Sequence, residues 1–245
     1  MKISQLPETE KILKQLLSQK IHVMDGAMGT MIQQKHLNEE DYRGKDFKEF
    51  KAPKGERKLF LKGNNELLSV TQSHIIQSIH EDYLAAGADI IGTNTFGANS
   101  IAQNDYFMSG VVRQMNLSSA KLARAAVQKY STLEKPRFIA GAIGPTPKTA
   151  SISPDVNDPG ARNIYFDQLV ESYTEQIEAL IEGGVDLLLV ETIFDTLNCK
   201  AALFAIETFF DQIDMRLPIM ISGTVTDASG RILSGQTVPA FWNSI

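Results

Sequence analysis

Two acidic residues stand where apolar runs stop. Asp25 follows Ile21-His22-Val23-Met24 and opens the stretch Asp25-Gly26-Ala27-Met28-Gly29-Thr30. Glu191 follows Asp186-Leu187-Leu188-Leu189-Val190, the most apolar run in the chain. A carboxylate at the end of a buried strand faces the mouth of a barrel, where such folds gather their chemistry. Held close together, Asp25 and Glu191 could bracket one ammonium group, as an amino-acid ligand requires. The plainer alternatives are an N-cap for Asp25 in a tight turn and a salt bridge to another loop for Glu191. The glycines after Asp25 let backbone approach a ligand closely, and N–H groups at a helix start favour an anion. Thr93-Asn94-Thr95, after Ala88-Asp89-Ile90-Ile91, is uncharged and rich in donors and acceptors. It could orient a carboxylate, or it could satisfy loop backbone.

Other polar features carry less. Gly144-Pro145-Thr146-Pro147 is a rigid turn suited to shaping a rim. The stretch from Gly223 to Gly230 lacks both the Walker and the dinucleotide pattern. His22, His36, His74 and His80 form no pair with metal-ligand spacing on one element and read as structural or solvated. Cys199, the only cysteine, lies in a helical pattern beside Ala201 and Ala202 and reads as a small buried hydrophobe. Asn116-Leu117-Ser118 is a glycosylation sequon in letters only.

The elements that must position these residues repeat. Five apolar runs, the fourth and fifth being 186–190 and Ile219-Met220-Ile221, each end in a small polar tip, with helical patterns between them. Such a chain reads as consecutive βα units, and five units do not close an eight-stranded barrel. Helices are expected at 8–20, closing the barrel bottom, and then from Thr71 to a cap at Gly87, at 111–130, at 165–182 and at 196–210. Ala86-Gly87-Ala88-Asp89-Ile90-Ile91 and Gly183-Gly184-Val185-Asp186-Leu187-Leu188 look like copies of one junction. Residues 35–65 are charged, carry Pro53, Gly55 and Gly63, and read as a long loop. Thr237 is a good N-cap, and Val238, Phe241, Trp242 and Ile245 then fall on one helical face. That uncapped apolar end reads as a chain cut inside a helix.

Composition sets outer bounds. The chain has 245 residues, 43% hydrophobic and 22% charged, enough for one large core, and no linker divides it. A net charge of −5 gives no reason to expect nucleic acid or an anionic membrane as partner. The charged first twenty residues are not a signal peptide, and a single cysteine excludes an internal disulfide. The cytoplasm is the default location.

Several stretches, in this order, resemble the homocysteine-binding module of cobalamin-dependent methionine synthases, within the homocysteine S-methyltransferase family. They are Met24 to Gln33, Leu61-Lys62-Gly63-Asn64-Asn65-Glu66-Leu67-Leu68, Gly87 to Phe96, Thr149 to Pro159, Val190 to Asn198 and Ile221 to Gln236. The first and fifth are shared across the wider family, and the Leu61, Thr149 and Ile221 stretches look particular to the cobalamin-dependent branch. The resemblance implies an α/β fold of the (β/α)8 TIM-barrel type, truncated to about five βα units, with residues 1–245 as one homocysteine-binding domain. It implies Asp25 and Glu191 on the substrate ammonium, and the Gly26-Ala27 backbone, helped near Thr93 and Asn94, on its carboxylate. It also implies zinc, which turns the homocysteine thiol into a thiolate, and methylcobalamin as methyl donor. The family's zinc ligands are a cysteine at the end of the sixth strand and a cysteine pair at the end of the eighth. Cys199 matches none of these, and no Asp-x-His-x-x-Gly cobalamin motif occurs, so ligands for neither group are expected in this chain. The partners implied are homocysteine and the folate- and cobalamin-binding modules of a full-length enzyme. The expectation is a methyltransferase module with little or no activity alone. The alternatives are half of a split enzyme, a non-catalytic amino-acid-binding partial barrel, and an unrelated phosphate-binding barrel enzyme.

Overall fold

Strands apolar on both faces belong inside a parallel sheet covered on both sides. The computed structural model, which describes residues 6–54, 59–226 and 228–245, contains such a sheet. Its strands are β1 (Ile90–Gly92), β2 (Phe138–Ile143), β3 (Leu187–Ile193) and β4 (Ile219–Gly223). They lie in the order β1-β2-β3-β4, every pair parallel. Sequential order without a reversal is the wall of a barrel, because a doubly wound sheet reverses at a switch point.

The N-terminal helices are α1 (Leu6–Leu17), α2 (Met28–Gln33), α3 (Glu39–Arg43), α4 (Leu68–Thr71) and α5 (Ser73–Ala86). After β1 come α6 (Ser100–Gln103) and α7 (Val112–Tyr130); α8 (Phe166–Gly183) precedes β3, α9 (Thr196–Ile213) follows it, and α10 (Val238–Ser244) comes last. Alternation along the strands sorts the core into two layers. Ile91, Ile139, Leu188 and Val190 pack under the outer helices with Leu84, Ala123 and Ile177. Ile90, Phe138, Ala140, Leu187 and Leu189 form the inner layer, into which α1 inserts Leu13. Helix α1 thus closes the end at which the strands begin, as its amphipathic pattern predicts.

The expected first strand is reduced to a single parallel bridge between Met24 and Ile90. The Asp25 N–H donates to the Ile90 carbonyl at 2.9 Å, and the Ile90 N–H to the Val23 carbonyl at 3.2 Å. Ile21 and Val23 are exposed, since no described strand lies beyond them to extend the ladder. Four strands and a bridge therefore stand where five strands were expected. The stretch at 35–65 also differs from expectation. It contains α3, capped reciprocally by Asn38 and Asp41, and contributes Tyr42, Leu59 and Leu61 to a core of its own against α5.

The two look-alike junctions are one device used twice. Gly87 and Gly184 end α5 and α8 in the left-handed conformation, at φ 114° and 90°. Two residues on, the carboxyl of Asp89 accepts the Val23 N–H at 3.1 Å and that of Asp186 accepts the Ile139 N–H at 2.9 Å. Each aspartate so reaches back to the preceding extended segment, and each carries a cation, Lys20 or Arg124. No helix among the described residues is long and apolar enough to cross a membrane.

Candidate functional site

A cavity of about 440 Å³ opens where the strands end. All six residues singled out by the sequence, Asp25, Gly26, Ala27, Thr93, Asn94 and Glu191, line it. No lysine, arginine or histidine is among its lining residues.

Asp25 is not an N-cap. Ala27 occupies the N-cap position of α2, and Asp25 turns its carboxyl to β1, where it accepts the Gly92 N–H at 2.9 Å. Burial pushes its pKa up to about 7, against the Gly92 hydrogen bond, and the nearby Glu191 carboxylate adds to the rise. Burial raises Glu191 as well, opposed by a hydrogen bond from the Thr192 side chain rather than by a cation. The two carboxyls therefore sense each other in a poorly solvated cavity with no positive side chain between them.

The backbone places Glu191 by an irregularity. Register between β3 and β4 shifts between Val190 and Ile193, and Thr192 takes φ 58°. A β-branched residue in the left-handed region is strained, and a bulge re-aims the neighbouring side chain. Here that side chain is Glu191, which remains partly open to the cavity while Leu187 to Val190 are buried.

Thr93 and Asn94 reach the cavity, but their polar groups serve the frame. The Thr93 hydroxyl accepts the Ala142 N–H at 2.9 Å and pairs with Thr95, joining the tip of β1 to β2. The Asn94 amide donates to the Asn65 carbonyl at 2.7 Å and to the Ser69 hydroxyl at 3.2 Å. In contrast, the N–H groups of Gly26 and Ala27 meet no protein acceptor among the described residues. Gly144 lets the loop after β1 approach the end of β2, because a Cβ there would lie 2.5 Å from the Phe96 carbonyl oxygen.

One ionisable lining residue was missed as a site residue. Glu66 lies in a single 3-10 turn, Asn65–Leu67, in a stretch without periodicity. Its signal was the polar run Asn64-Asn65-Glu66 after Gly63, which entered only through the resemblance.

The model for the family described as homocysteine S-methyltransferase matches residues 22–245. The chain belongs to the homocysteine S-methyltransferase family. Two solved structures of the homocysteine methyltransferase MmuM from Escherichia coli share the fold. The oxidised form superposes with a TM-score of 0.69 at 20% identity, covering 92% of this chain and 70% of that one. The metallated form gives 0.68 at 20% identity, covering 95% and 73%.

Among the described residues no group of three or more His, Cys, Asp and Glu could hold a metal. Cys199 is fully buried among the alanines of α9, and burial pushes its thiol up to about 12, the reverse of a thiolate ligand. The histidines offer no substitute. His80 is fully buried, with its pKa lowered to about 4 by that burial, and among the described residues no histidine joins two further His, Cys, Asp or Glu side chains in a group that could share a metal.

Proposed function

We propose that the cavity receives the amino-acid end of homocysteine, as part of a methyltransferase module of the methionine synthase type. One observation carries this reading: two carboxyls, Asp25 and Glu191, share a cavity lined by no cationic side chain. An ammonium group there would let both ionise and would relieve their mutual repulsion. The free N–H groups of Gly26 and Ala27 suit the ligand carboxylate, with Thr93 and Asn94 holding the loop beside them. The cobalamin-dependent branch is favoured by the Leu61–Leu68 and Thr149–Pro159 stretches. Folate- and cobalamin-binding modules would then be partners, in the cytoplasm, and methyl transfer by this chain alone would be slight. No step is assigned to zinc or methylcobalamin: among the described residues no group of three or more His, Cys, Asp and Glu could hold a metal, and the sequence has no Asp-x-His-x-x-Gly motif.

Calorimetry with homocysteine in the presence of a chelator tests this reading. Binding is expected without metal, and Asp25→Asn is expected to weaken it at least tenfold, a charge-assisted contact being worth about 1.5–3 kcal/mol. No heat with either homocysteine or methionine would sink it. A second reading, half of a split enzyme, draws on the outer edge of β4, which pairs with no described strand and carries the exposed Ile221. Co-purification of a cysteine-bearing partner would favour it.

A further inference from the structure

The cavity contains a third carboxyl, one that the ammonium pair does not use. Glu66 lines the same cavity, and one of its oxygens accepts the Gly97 N–H at 2.9 Å. Asp25 senses Glu191 electrostatically, whereas Glu66 is governed by burial and by backbone N–H groups, so it stands apart from that pair. The phenol of Tyr42 in α3 donates to the neighbouring Asn65 Oδ1 at 2.8 Å and brings no positive charge. The Glu66 turn lies over the Gly26–Gly29 turn, where a Cβ on Gly29 would meet the Asn65 Nδ2 at 3.8 Å. With the ammonium held by Asp25 and Glu191, Glu66 shares the rest of the cavity with Gly26 and Ala27, whose N–H groups suit the ligand carboxylate.

A carboxylate in that place would repel the ligand's own, and no cation lining the cavity offsets it. A carboxylic acid would instead donate to it, and burial shifts Glu66 toward that form. We propose that Glu66 is a specificity-determining residue of this cavity, a carboxylic acid whose O–H donates a hydrogen bond to the carboxylate of the bound amino acid. This role presupposes the amino-acid reading of the cavity. Asp25 and Glu191 alone would accept any small primary amine; Glu66 adds a donor to the Gly26 and Ala27 N–H groups and widens the preference for a ligand that carries a carboxylate.

The test is a two-by-two comparison by calorimetry on the full chain. The ligands are homocysteine and 3-aminopropane-1-thiol, its analogue without the carboxylate. Glu66→Ala and Glu66→Met, the latter close in length but without a donor, are expected to weaken homocysteine about tenfold more than the amine. Glu66→Gln, which keeps a donor and an acceptor, is expected to hold the wild-type ratio within about threefold. Equal weakening of both ligands would overturn the role, because Glu66 would then only brace the Gly97 loop. Tighter homocysteine binding in Glu66→Ala or Glu66→Met would overturn it too, by showing an ionised, repelling carboxylate. Wild-type protein that binds neither ligand would overturn the amino-acid reading itself. That failure is recognisable because Asp25→Asn would then change nothing.

Discussion

A carboxyl that is harder to ionise in the fold than in the unfolded chain makes the empty site a burden on stability. Asp25 titrates at about 7 when folded, against 3.8 for an ordinary aspartate. The unfolded chain loses this proton first, so the ligand-free protein loses stability as pH rises from about 4 to about 7. Discounted for its opening to the cavity, the effect is about 2 kcal/mol. Asp25→Asn mimics the protonated form. It is expected to raise the thermal midpoint of the free protein at pH 8 by roughly 4–8 °C and to change it little at pH 4. Melting curves at the two pH values check this, and equal shifts at both would refute it. Asp25 and Glu191 were legible in the sequence because a charge directly after a buried run has few places to go. Glu66 was not, because nothing in a non-periodic stretch says which of its polar residues will turn inward. The side-chain duties of Thr93 and Asn94 were equally hidden, since their partners Ala142 and Asn65 lie far along the chain.

At the scale of elements, the outer helices were readable because 3.6-residue spacing and a glycine stop are local signals. Helix α8 was expected at 165–182 and occupies Phe166–Gly183. Its closest approach to α7 was not readable. A Cβ on Gly183 would lie 2.4 Å from the Ala120 Cβ, so the two helices meet through a missing side chain. Gly183→Ala is expected to destabilise the fold by about 1–3 kcal/mol, although alanine is the better helix former. Urea denaturation measures this, and a stabilised variant would mean that the helices part freely. The bulge at Thr192 was likewise invisible in the sequence: Glu191-Thr192 reads as the plain end of a strand, and the strain arises only when β4 pairs alongside.

For the whole molecule, the fold class was legible from the rhythm of the chain, and the exposed edge was legible only as a count of units. That edge has consequences in solution. Ile221 on β4 and Trp242 on α10 are exposed, with Trp242 at 75%, and a bare parallel edge beside apolar surface invites self-pairing. Ile221→Lys is expected to reduce concentration-dependent association, read by sedimentation velocity at several loadings. Unchanged association would place the sticky surface elsewhere. The paired aspartates at the strand starts bear on how such a wall is made. Asp89 and Asp186 each fasten a new strand to the segment completed before it, never to one still to come. Strands β1 and β3 therefore each carry a backward clasp. The wall can be laid course by course, in the order in which the ribosome releases it, each strand after the first being added on the newest side.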